Sequence, residues 1–217
     1  MKRFALFALV LTGLFSPNDA SAGLVINGGF EDPTIPNPSF SQFPSIPGWT
    51  LASGPAIEIQ NHVAGSPFDG QQFVELDSSA NSGMYQDLAT VAGQSYVLSF
   101  AYSPRPGVPE SSNGIDIRWG ALDLGTIQQT GIGHADTVWS IHTYELVATS
   151  STTRLQFTAV GTSDSLGGYL DAVSVNPVPE PASLAMCGIA VVTGLSVARF
   201  RRKPMGIPSR AIRAVFC

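Results

Sequence analysis

The segment Ser95-Tyr96-Val97-Leu98-Ser99-Phe100-Ala101-Tyr102 decides the fold class, because a large apolar or aromatic side chain occupies every second position. In a β-strand the four large side chains would share one face, and the small residues Ser99 and Ala101 would share the other. A period of two with one polar or small face is typical of an antiparallel sheet that packs on a core.

Other segments repeat this pattern. Ile115, Ile117 and Trp119 alternate with Asp116 and Arg118, and Leu155 and Phe157 alternate with Gln156 and Thr158. Gly, Pro, Ser and Asn residues separate these strand-like segments. The sequence therefore predicts strands at Leu24–Asn27, Ala56–Ile59, Gln72–Leu76, Gly83–Leu88, Ser95–Tyr102, Ile115–Trp119, Ala121–Ile127, Trp139–Ala148, Arg154–Ala159 and Tyr169–Val175. The sequence predicts an all-β domain, an antiparallel β-sandwich of the jelly-roll type.

Two proline-bearing segments are predicted as long loops, Asp32–Gly48 and Ser103–Gly114. Prolines lower the entropic cost of holding a binding conformation. They also serve as simple connections and protect sheet edges. Both interpretations stay open.

Both ends of the chain have the composition of targeting signals. Lys2 and Arg3, an apolar stretch Phe4–Phe15 and the small residues up to Ala22 predict a signal peptide over residues 1–22, cleaved by signal peptidase after Ala22. The apolar stretch is too short for a membrane anchor, which is the alternative. The predicted domain therefore covers residues 23–176.

The carboxyl end, residues 177–203, combines three elements in order. Pro179, Glu180 and Pro181 precede a 17-residue uncharged run, 182–198, and a basic cluster follows with Arg199, Arg201 and Arg202. A helix of this length is about 25 Å long, the lower limit for crossing a bilayer, and the basic cluster would keep the carboxyl end cytoplasmic. A buried core helix is the alternative interpretation.

This order resembles the PEP-CTERM sorting signal of Gram-negative bacteria that produce extracellular polysaccharide. The resemblance implies that an exosortase-type enzyme processes the chain near Pro179–Pro181. It also implies an exported protein that is tethered to the inner membrane through its C-terminal helix and then released to the cell envelope or the extracellular space. Residues 204–217 extend beyond the usual pattern, either as a cytoplasmic stub or as an error of the reading frame.

Removing the two ends changes the charge of the protein. Residues 23–176 contain fourteen acidic residues and three arginines, a net charge of −11, whereas the whole chain carries −5. This negative charge disfavours the binding of nucleic acid and favours the binding of cations such as calcium. Both cysteines, Cys187 and Cys217, lie in the tail, which excludes disulfides and cysteine-bound zinc from the domain.

Ordered motifs along the domain resemble the galactose-binding-like jelly rolls, a superfamily rich in carbohydrate-binding modules. The motifs are Asn27–Glu31, Pro47–Trp49, Gly70–Asp77, Tyr85-Gln86, Gly93–Phe100, Trp139 and Leu170–Val175. The resemblance implies that the first and last strands lie together and that their ends hold a structural calcium ion. We expect calcium on Glu31 and Asp171, with backbone carbonyls near Asn27 and Gly29.

A ligand cleft is expected around the second proline-bearing loop. Tyr102, Arg105, Glu110 and Asp116 combine an aromatic ring with polar groups near one stiff segment. Trp49, Trp119 and Trp139 are candidates for sugar platforms, but their positions favour the core.

No catalytic motif is present. The sequence contains no Gly-x-Ser-x-Gly and no His-Glu-x-x-His, and Glu75 and Asp77 on one strand face are the best carboxylate pair. We expect an exported, non-enzymatic protein of the envelope or extracellular matrix, either binding polysaccharide or structural in a biofilm. A glycan-acting hydrolase and a protein-interaction module of surface assembly are the alternatives.

Overall fold

The computed structural model describes residues 23–179, which form an antiparallel β-sandwich, as the alternation predicts. The predicted signal peptide, the apolar run 182–198, the basic cluster and the extension 204–217 lie outside the described residues. The strands are β1 (Ser39–Phe43), β2 (Ser45–Ile46), β3 (Trp49–Ser53), β4 (Ile57–Asn61), β5 (Phe73–Glu75), β6 (Gly83–Ala89), β7 (Ser95–Ser103), β8 (Gly114–Trp119), β9 (Leu122–Ile127), β10 (Ser140–Val147), β11 (Thr152–Val160) and β12 (Tyr169–Pro177). A 3-10 turn spans Glu110–Ser112. In this part of the chain, no helix is long and apolar enough to cross a membrane.

The strands form two six-stranded sheets. Sheet A has the order β1-β4-β5-β12-β7-β10, and sheet B has the order β2-β3-β6-β11-β8-β9. Every pairing in both sheets is antiparallel. Each sheet therefore turns one face to the shared core and one face outward.

The core is built from the faces that the sequence indicates. On β7 the four large side chains of Ser95–Tyr102 are at most 3% exposed. Trp49 and Trp119 are also buried in the core, at 1% and 3% exposure. Trp139 differs, because it is partly exposed and packs edge-on against Phe68 and Phe73 outside the core.

The amino-terminal segment is not the strand that the sequence predicts at Leu24–Asn27, but it does lie beside the last strand. Leu24 N donates to Val175 O at 3.0 Å, and Val173 N donates to Gly28 O at 2.8 Å. The approach at Gly28 is so close that a Cβ there would lie 1.9 Å from Val173 O. The contact between first and last segments therefore exists without a regular ladder.

The proline-bearing segment Asp32–Gly48 is not one loop, because β1 and β2 form within it. The strand β3 was also not predicted from the sequence. Both β1 and β2 are edge strands of their sheets, where neighbouring prolines are tolerated since one side of the strand needs no partner. Their pairing with β4 and β3 is long-range information that local alternation does not carry.

The last strand reaches past the predicted domain end at residue 176. It includes Pro177, and Val178 N donates to Ser95 O at 2.8 Å. Val178 O also accepts from Gln94 Nε2 at 2.7 Å. The first two residues of the predicted tail thus belong to the sandwich.

Candidate functional site

A row of polar side chains crosses the outer face of sheet A. Residues that pair across neighbouring strands project to the same face. The register places five such partners in line across five strands: Gln42 on β1, Glu58 on β4, Glu75 on β5, Tyr169 on β12 and Ser103 on β7. Their chain neighbours Ile57, Ile59, Val74, Leu76 and Leu170 fill the core, so the row faces outward. We call these five residues, with Gln60 and Arg105, the polar row.

Gln60 joins the two glutamates of the polar row. Its Nε2 donates to Glu58 Oε1 at 3.0 Å and also to Glu75 Oε2. Glu58 Oε2 accepts a second amide hydrogen bond, 2.9 Å from Gln42 Nε2. Two carboxylates on adjacent strands thus share one amide donor, which fixes both of them.

Arg105 reaches the polar row from the loop after β7. Its guanidinium forms an ion pair with Glu75 Oε2, and its Cζ lies 5.9 Å from the centre of the Tyr169 ring. Gly167 N donates to the other Glu75 oxygen at 2.7 Å. The donors stabilise the carboxylate, while burial of Glu75 at 0% exposure opposes it and raises its pKa to about 8. Burial likewise raises the pKa of the Tyr169 hydroxyl.

The polar row is buried at its centre and open at the β1 edge. Glu58 and Gln60 are 4% and 1% exposed, whereas Gln42 is exposed and Phe40, directly opposite Gln60, is 54% exposed. Gln60 Oε1 is buried and has no hydrogen-bond partner among residues 23–179. An exposed aromatic residue on the edge strand is thus paired in register with a residue whose side-chain oxygen is buried and unpartnered.

Of the four residues predicted for a ligand cleft, Arg105 belongs to the polar row. Tyr102 lies on the core face, fully buried, and its hydroxyl donates to Asn113 O at 2.8 Å. Arg105 N donates to the same residue, at Asn113 Oδ1, so Asn113 organises the loop from its end. Glu110 is exposed in the 3-10 turn.

Asp116 lies elsewhere, on the outer face of sheet B. Its carboxylate pairs with Arg118 Nε at 3.2 Å, and Arg118 also contacts Asp123 at 3.4 Å. Asp116 therefore shares no described contact with the polar row, and its role in ligand binding stays a prediction.

The residues predicted to bind calcium lie around the junction of the first and last segments. Glu31 Oε1 accepts from the backbone N–H groups of residues 71–72 at 2.7 and 3.0 Å, and Asp171 Oδ2 accepts from those of residues 68–69 at 2.9 and 3.1 Å. Burial raises the pKa of Asp171 to about 7. The Asn27 carbonyl accepts from the indole of Trp49 at 3.1 Å, and Gly29 adjoins Glu31, with an ideal Cβ 4.0 Å from its Cγ.

Both carboxylates therefore bind backbone donors of one loop, and no cluster of three or more His, Cys, Asp or Glu suited to a metal occurs within residues 23–179. Calcium binding there stays a prediction. Asp77, which the sequence grouped with Glu75, has a similar structural role, because its Oδ2 accepts from the N–H groups of residues 164–166 at 2.9 to 3.4 Å.

Sequence reasoning missed Gln42, Glu58 and Gln60. The signal was present in β4, Ile57-Glu58-Ile59-Gln60-Asn61, where two polar residues alternate with isoleucines. Alternation shows that Glu58 and Gln60 share the face opposite the core. It does not show that β1, β5 and β12 bring further polar groups beside them.

Known proteins resemble this chain in sequence and in architecture. No family model matches the chain. The multifunctional-autoprocessing repeats-in-toxin of Vibrio vulnificus is 27% identical over 161 residues, which make up 73% of this chain and 3% of the toxin. This chain thus spans a small fraction of that relative's length.

Two solved structures are similar to this chain. The Stig cyclase FisC from Fischerella sp. TAU matches with a TM-score of 0.53 at 15% identity, covering 73% of this chain and 98% of the cyclase. A family 35 carbohydrate-binding module from Clostridium thermocellum matches with a TM-score of 0.40 at 15% identity, covering 63% of this chain and 90% of the module. The described domain is an antiparallel β-sandwich of two six-stranded sheets, and the likeness to the cyclase supports this fold.

Proposed function

We propose that the protein is an exported, non-enzymatic polysaccharide-binding protein of the cell envelope or extracellular matrix, and that the polar row is its sugar site. Sugars present hydroxyl groups, which donate and accept hydrogen bonds, and apolar ring faces, which pack on aromatic side chains. A site for them combines convergent polar side chains with an accessible aromatic ring. The polar row and Phe40 supply that combination.

The observation that carries the proposal is the pairing of Phe40 with Gln60. Phe40 is 54% exposed and stands directly opposite Gln60, whose buried Oε1 lacks a partner within residues 23–179. A sugar ring packed on Phe40 would place its hydroxyl groups beside the exposed amide of Gln42, which lies on the same face of β1 and binds the Glu58 carboxylate.

The targeting part of the proposal rests on the sequence. Signal peptidase would cleave after Ala22, and an exosortase-type enzyme would act near Pro179–Pro181 after the C-terminal helix has held the protein in the inner membrane of a Gram-negative cell. Structural calcium on Glu31 and Asp171 is part of the same proposal. Mass spectrometry of both mature termini tests the two cleavages.

The binding proposal is tested by incubating the purified protein with a panel of insoluble polysaccharides and measuring retention and new reducing ends together. Phe40→Ala is the test variant. Leu122→Ala is the matched control, because Leu122 is also 54% exposed but lies on sheet B. We expect retention on at least one polysaccharide, at least a tenfold loss of affinity in Phe40→Ala, and no change in Leu122→Ala.

Three results would overturn the proposal in different ways. New reducing ends would make the protein a glycan-acting hydrolase, with Glu58 and Glu75 as the carboxylates to test. Retention that Phe40→Ala does not weaken would move the site away from the polar row. Absence of retention on every polysaccharide would favour the protein-interaction module.

A further inference from the structure

The strand β10 leaves one edge of sheet A open. It is the last strand of that sheet, and no strand of residues 23–179 pairs with its far side. Its eight residues include no proline, glycine or lysine, and its register with β7 is regular throughout. An edge strand of this kind is a template for pairing with another chain, which is why natural proteins normally protect such edges.

The other three edges of the two described sheets are protected. Pro38 and Pro44 flank β1, and β2 has only two residues, between Pro44 and Pro47. In β9 the register with β8 shifts, and Gly125 has a φ of +87°. Prolines, very short strands and bulges all hinder the addition of a further strand. The edge at β10 therefore differs from the other three.

The hydrogen bonds of β10 show which of its backbone groups are open. Ala148 N donates to Gln94 O at 3.0 Å, and Ala148 O accepts from Gly93 N at 2.8 Å, so the even-numbered residues face β7. The odd-numbered residues alternate with them and turn their N–H and C=O groups away from β7. They are Ile141, Thr143, Glu145 and Val147. Accordingly, Val147 O accepts from the indole of Trp119 at 3.2 Å instead of from β7.

The open edge also exposes apolar side chains. Ile141 and Val147, on the outer face of sheet A, are 62% and 54% exposed. On the core face, Tyr144 is half-buried and stacks on Phe100, with ring centres 6.2 Å apart. Glu145 is the single carboxylate of β10. A partner strand would therefore cover apolar surface and remove little charge from water.

We propose that β10 is a dimerisation edge, which pairs antiparallel with β10 of a second copy of this chain about a two-fold axis at Tyr144. In this register, Thr143 lies opposite Glu145 of the second copy. Both residues have their backbone groups on the open side, so each such pair exchanges two backbone hydrogen bonds. Ile141 lies opposite Val147 of the second copy.

A second copy fits because β10 is complementary to itself in this register. The exposed Ile141 and Val147 side chains meet each other, and the two Tyr144 rings meet at the axis. Glu145 faces the hydroxyl of Thr143. A shift by two residues would place Glu145 opposite either its own copy or Ile141, and both arrangements are unfavourable.

The dimer is expected to be weak. An eight-residue strand is about 27 Å long, so its edge gives an interface at or below ~1,200 Å² in total, the low end for specific association. Residues 23–176 of each copy also carry a net charge of −11. We therefore expect a dissociation constant in the micromolar range that decreases as salt is added, because salt screens the repulsion.

Dimerisation would place two sugar sites on one particle. The strand β1, which carries Phe40, lies at the opposite end of sheet A from β10. Two six-stranded sheets joined at β10 would place their β1 strands about 50 Å apart, from a strand spacing of about 4.8 Å. Such a dimer would bridge two polysaccharide chains. This consequence rests on the proposed polysaccharide binding, whereas the dimer does not.

Sedimentation equilibrium of the purified protein, from low micromolar to millimolar concentration, tests the dimer without any polysaccharide. Thr143→Pro removes an N–H group from the open side and leaves the bonds to β7 in place. Ile141→Lys adds an edge lysine, a common natural protection. Leu122→Lys is the matched control, because Leu122 is also an exposed apolar residue of an edge strand, β9, on sheet B. Thermal melting identifies any variant that does not fold.

We expect a monomer–dimer equilibrium for the protein and for Leu122→Lys. Both β10 variants should dimerise at least tenfold more weakly. With a soluble form of a retained polysaccharide, the protein should raise light scattering by bridging chains. Ile141→Lys should be retained on the insoluble form but should not raise the scattering.

The contrary results are distinct. A monomer at every concentration, or a dimer that neither folded β10 variant weakens, refutes the dimerisation edge and leaves the polysaccharide-binding proposal intact. Equal weakening in Leu122→Lys, or a dimer that dissociates as salt is added, also refutes it, because the association then depends on charge rather than on β10. Dimerisation without retention on any polysaccharide supports the edge and refutes the proposed function.

Discussion

Glu31 and Asp171 hold the two ends of the same loop. Glu31 Oε1 accepts the backbone N–H groups of residues 71–72, and Asp171 Oδ2 accepts those of residues 68–69. One carboxylate belongs to the first segment of the domain and the other to β12, so the loop ties together parts that are distant in sequence. Hydrogen bonds to a carboxylate are stronger than neutral ones, which makes this loop a specific structural feature.

Gly70 lies in this loop, between the ends that Glu31 and Asp171 bind, and it should not tolerate a side chain. Its φ of +65° favours glycine, and a Cβ would lie 2.2 Å from Glu31 Oε1. We expect Gly70→Ala to lower the free energy of unfolding by about 2–4 kcal/mol, from backbone strain of roughly 1 kcal/mol together with lost hydrogen bonds to the carboxylate. Chemical denaturation measures it.

Gly93→Ala is the matched control for this prediction. Gly93 also has a positive φ, +84°, but no atom lies within 4 Å of its ideal Cβ. Only the backbone strain applies there, so the loss should be about 1 kcal/mol. Equal losses in the two variants would show that the Glu31 contact contributes nothing.

Calcium should stabilise the protein if Glu31 and Asp171 are its ligands. An ion bound by the folded state alone raises the melting temperature with its concentration. We expect a higher midpoint with millimolar calcium than with a chelator, stoichiometric calcium by elemental analysis, and loss of both effects in Asp171→Asn. If calcium does not change the melting temperature and no metal is found, the two carboxylates only bind the backbone of the loop.

The sequence predicted the sandwich because burial on each strand has a period of two. Ser95–Tyr102 shows this, and it also places Tyr102 on the core face, so its alternation already argued against a surface role. The polar row could not be predicted in the same way. Its members come from five strands, and only the long-range register brings Gln42, Glu58 and Glu75 into line.

Arg105 was recognised by residue type alone, as a charged side chain on a proline-bearing loop. The sequence instead suggested a pair of Glu75 with Asp77, which lies two residues further along on the same strand face. Both carboxylates are in fact fully buried and accept backbone N–H groups, of Gly167 for Glu75 and of residues 164–166 for Asp77. Such pairings depend on where loops return in space, which local sequence does not encode.

The stability of the domain should fall as the pH rises from about 5 to 8. Burial raises the pKa of Asp171 to about 7 and that of Glu75 to about 8, above their ordinary values near 4. In this window the folded protein holds protons that the unfolded chain has released, so unfolding becomes easier as pH increases. Thermal melting in a pH series measures the decline.

Asp171→Asn should make that decline shallower, because the amide cannot titrate. Asp87→Asn is the control, since the hydrogen bond from Arg154 lowers the pKa of this exposed carboxylate and its proton is already lost at pH 5. A stability that rises between pH 5 and 8 would contradict the raised values.

The ion pair of Arg105 and Glu75 should matter more than that of Arg154 and Asp87. The Glu75 side chain is 0% exposed, whereas the Arg154 and Asp87 side chains are 46% and 43% exposed. At pH 9, above the pKa of about 8 of Glu75, removing Arg105 leaves the Glu75 carboxylate as an uncompensated buried charge, so Arg105→Ala should cost about 3–5 kcal/mol of unfolding free energy. Arg154→Ala should cost at most about 1 kcal/mol, because water screens the exposed pair.

A double-mutant cycle at the same pH separates the interaction energy of the ion pair from the cost of leaving Glu75 charged without a partner. Adding Glu75→Gln to Arg105→Ala removes the charge that the single variant leaves behind. We therefore expect the double variant to recover part of the lost stability, with an interaction energy of about 1–3 kcal/mol by denaturant unfolding. Strictly additive losses would mean that Arg105 stabilises the loop through packing on Tyr169 and its backbone bond to Asn113, and that Glu75 is satisfied by Gln60 and Gly167 alone.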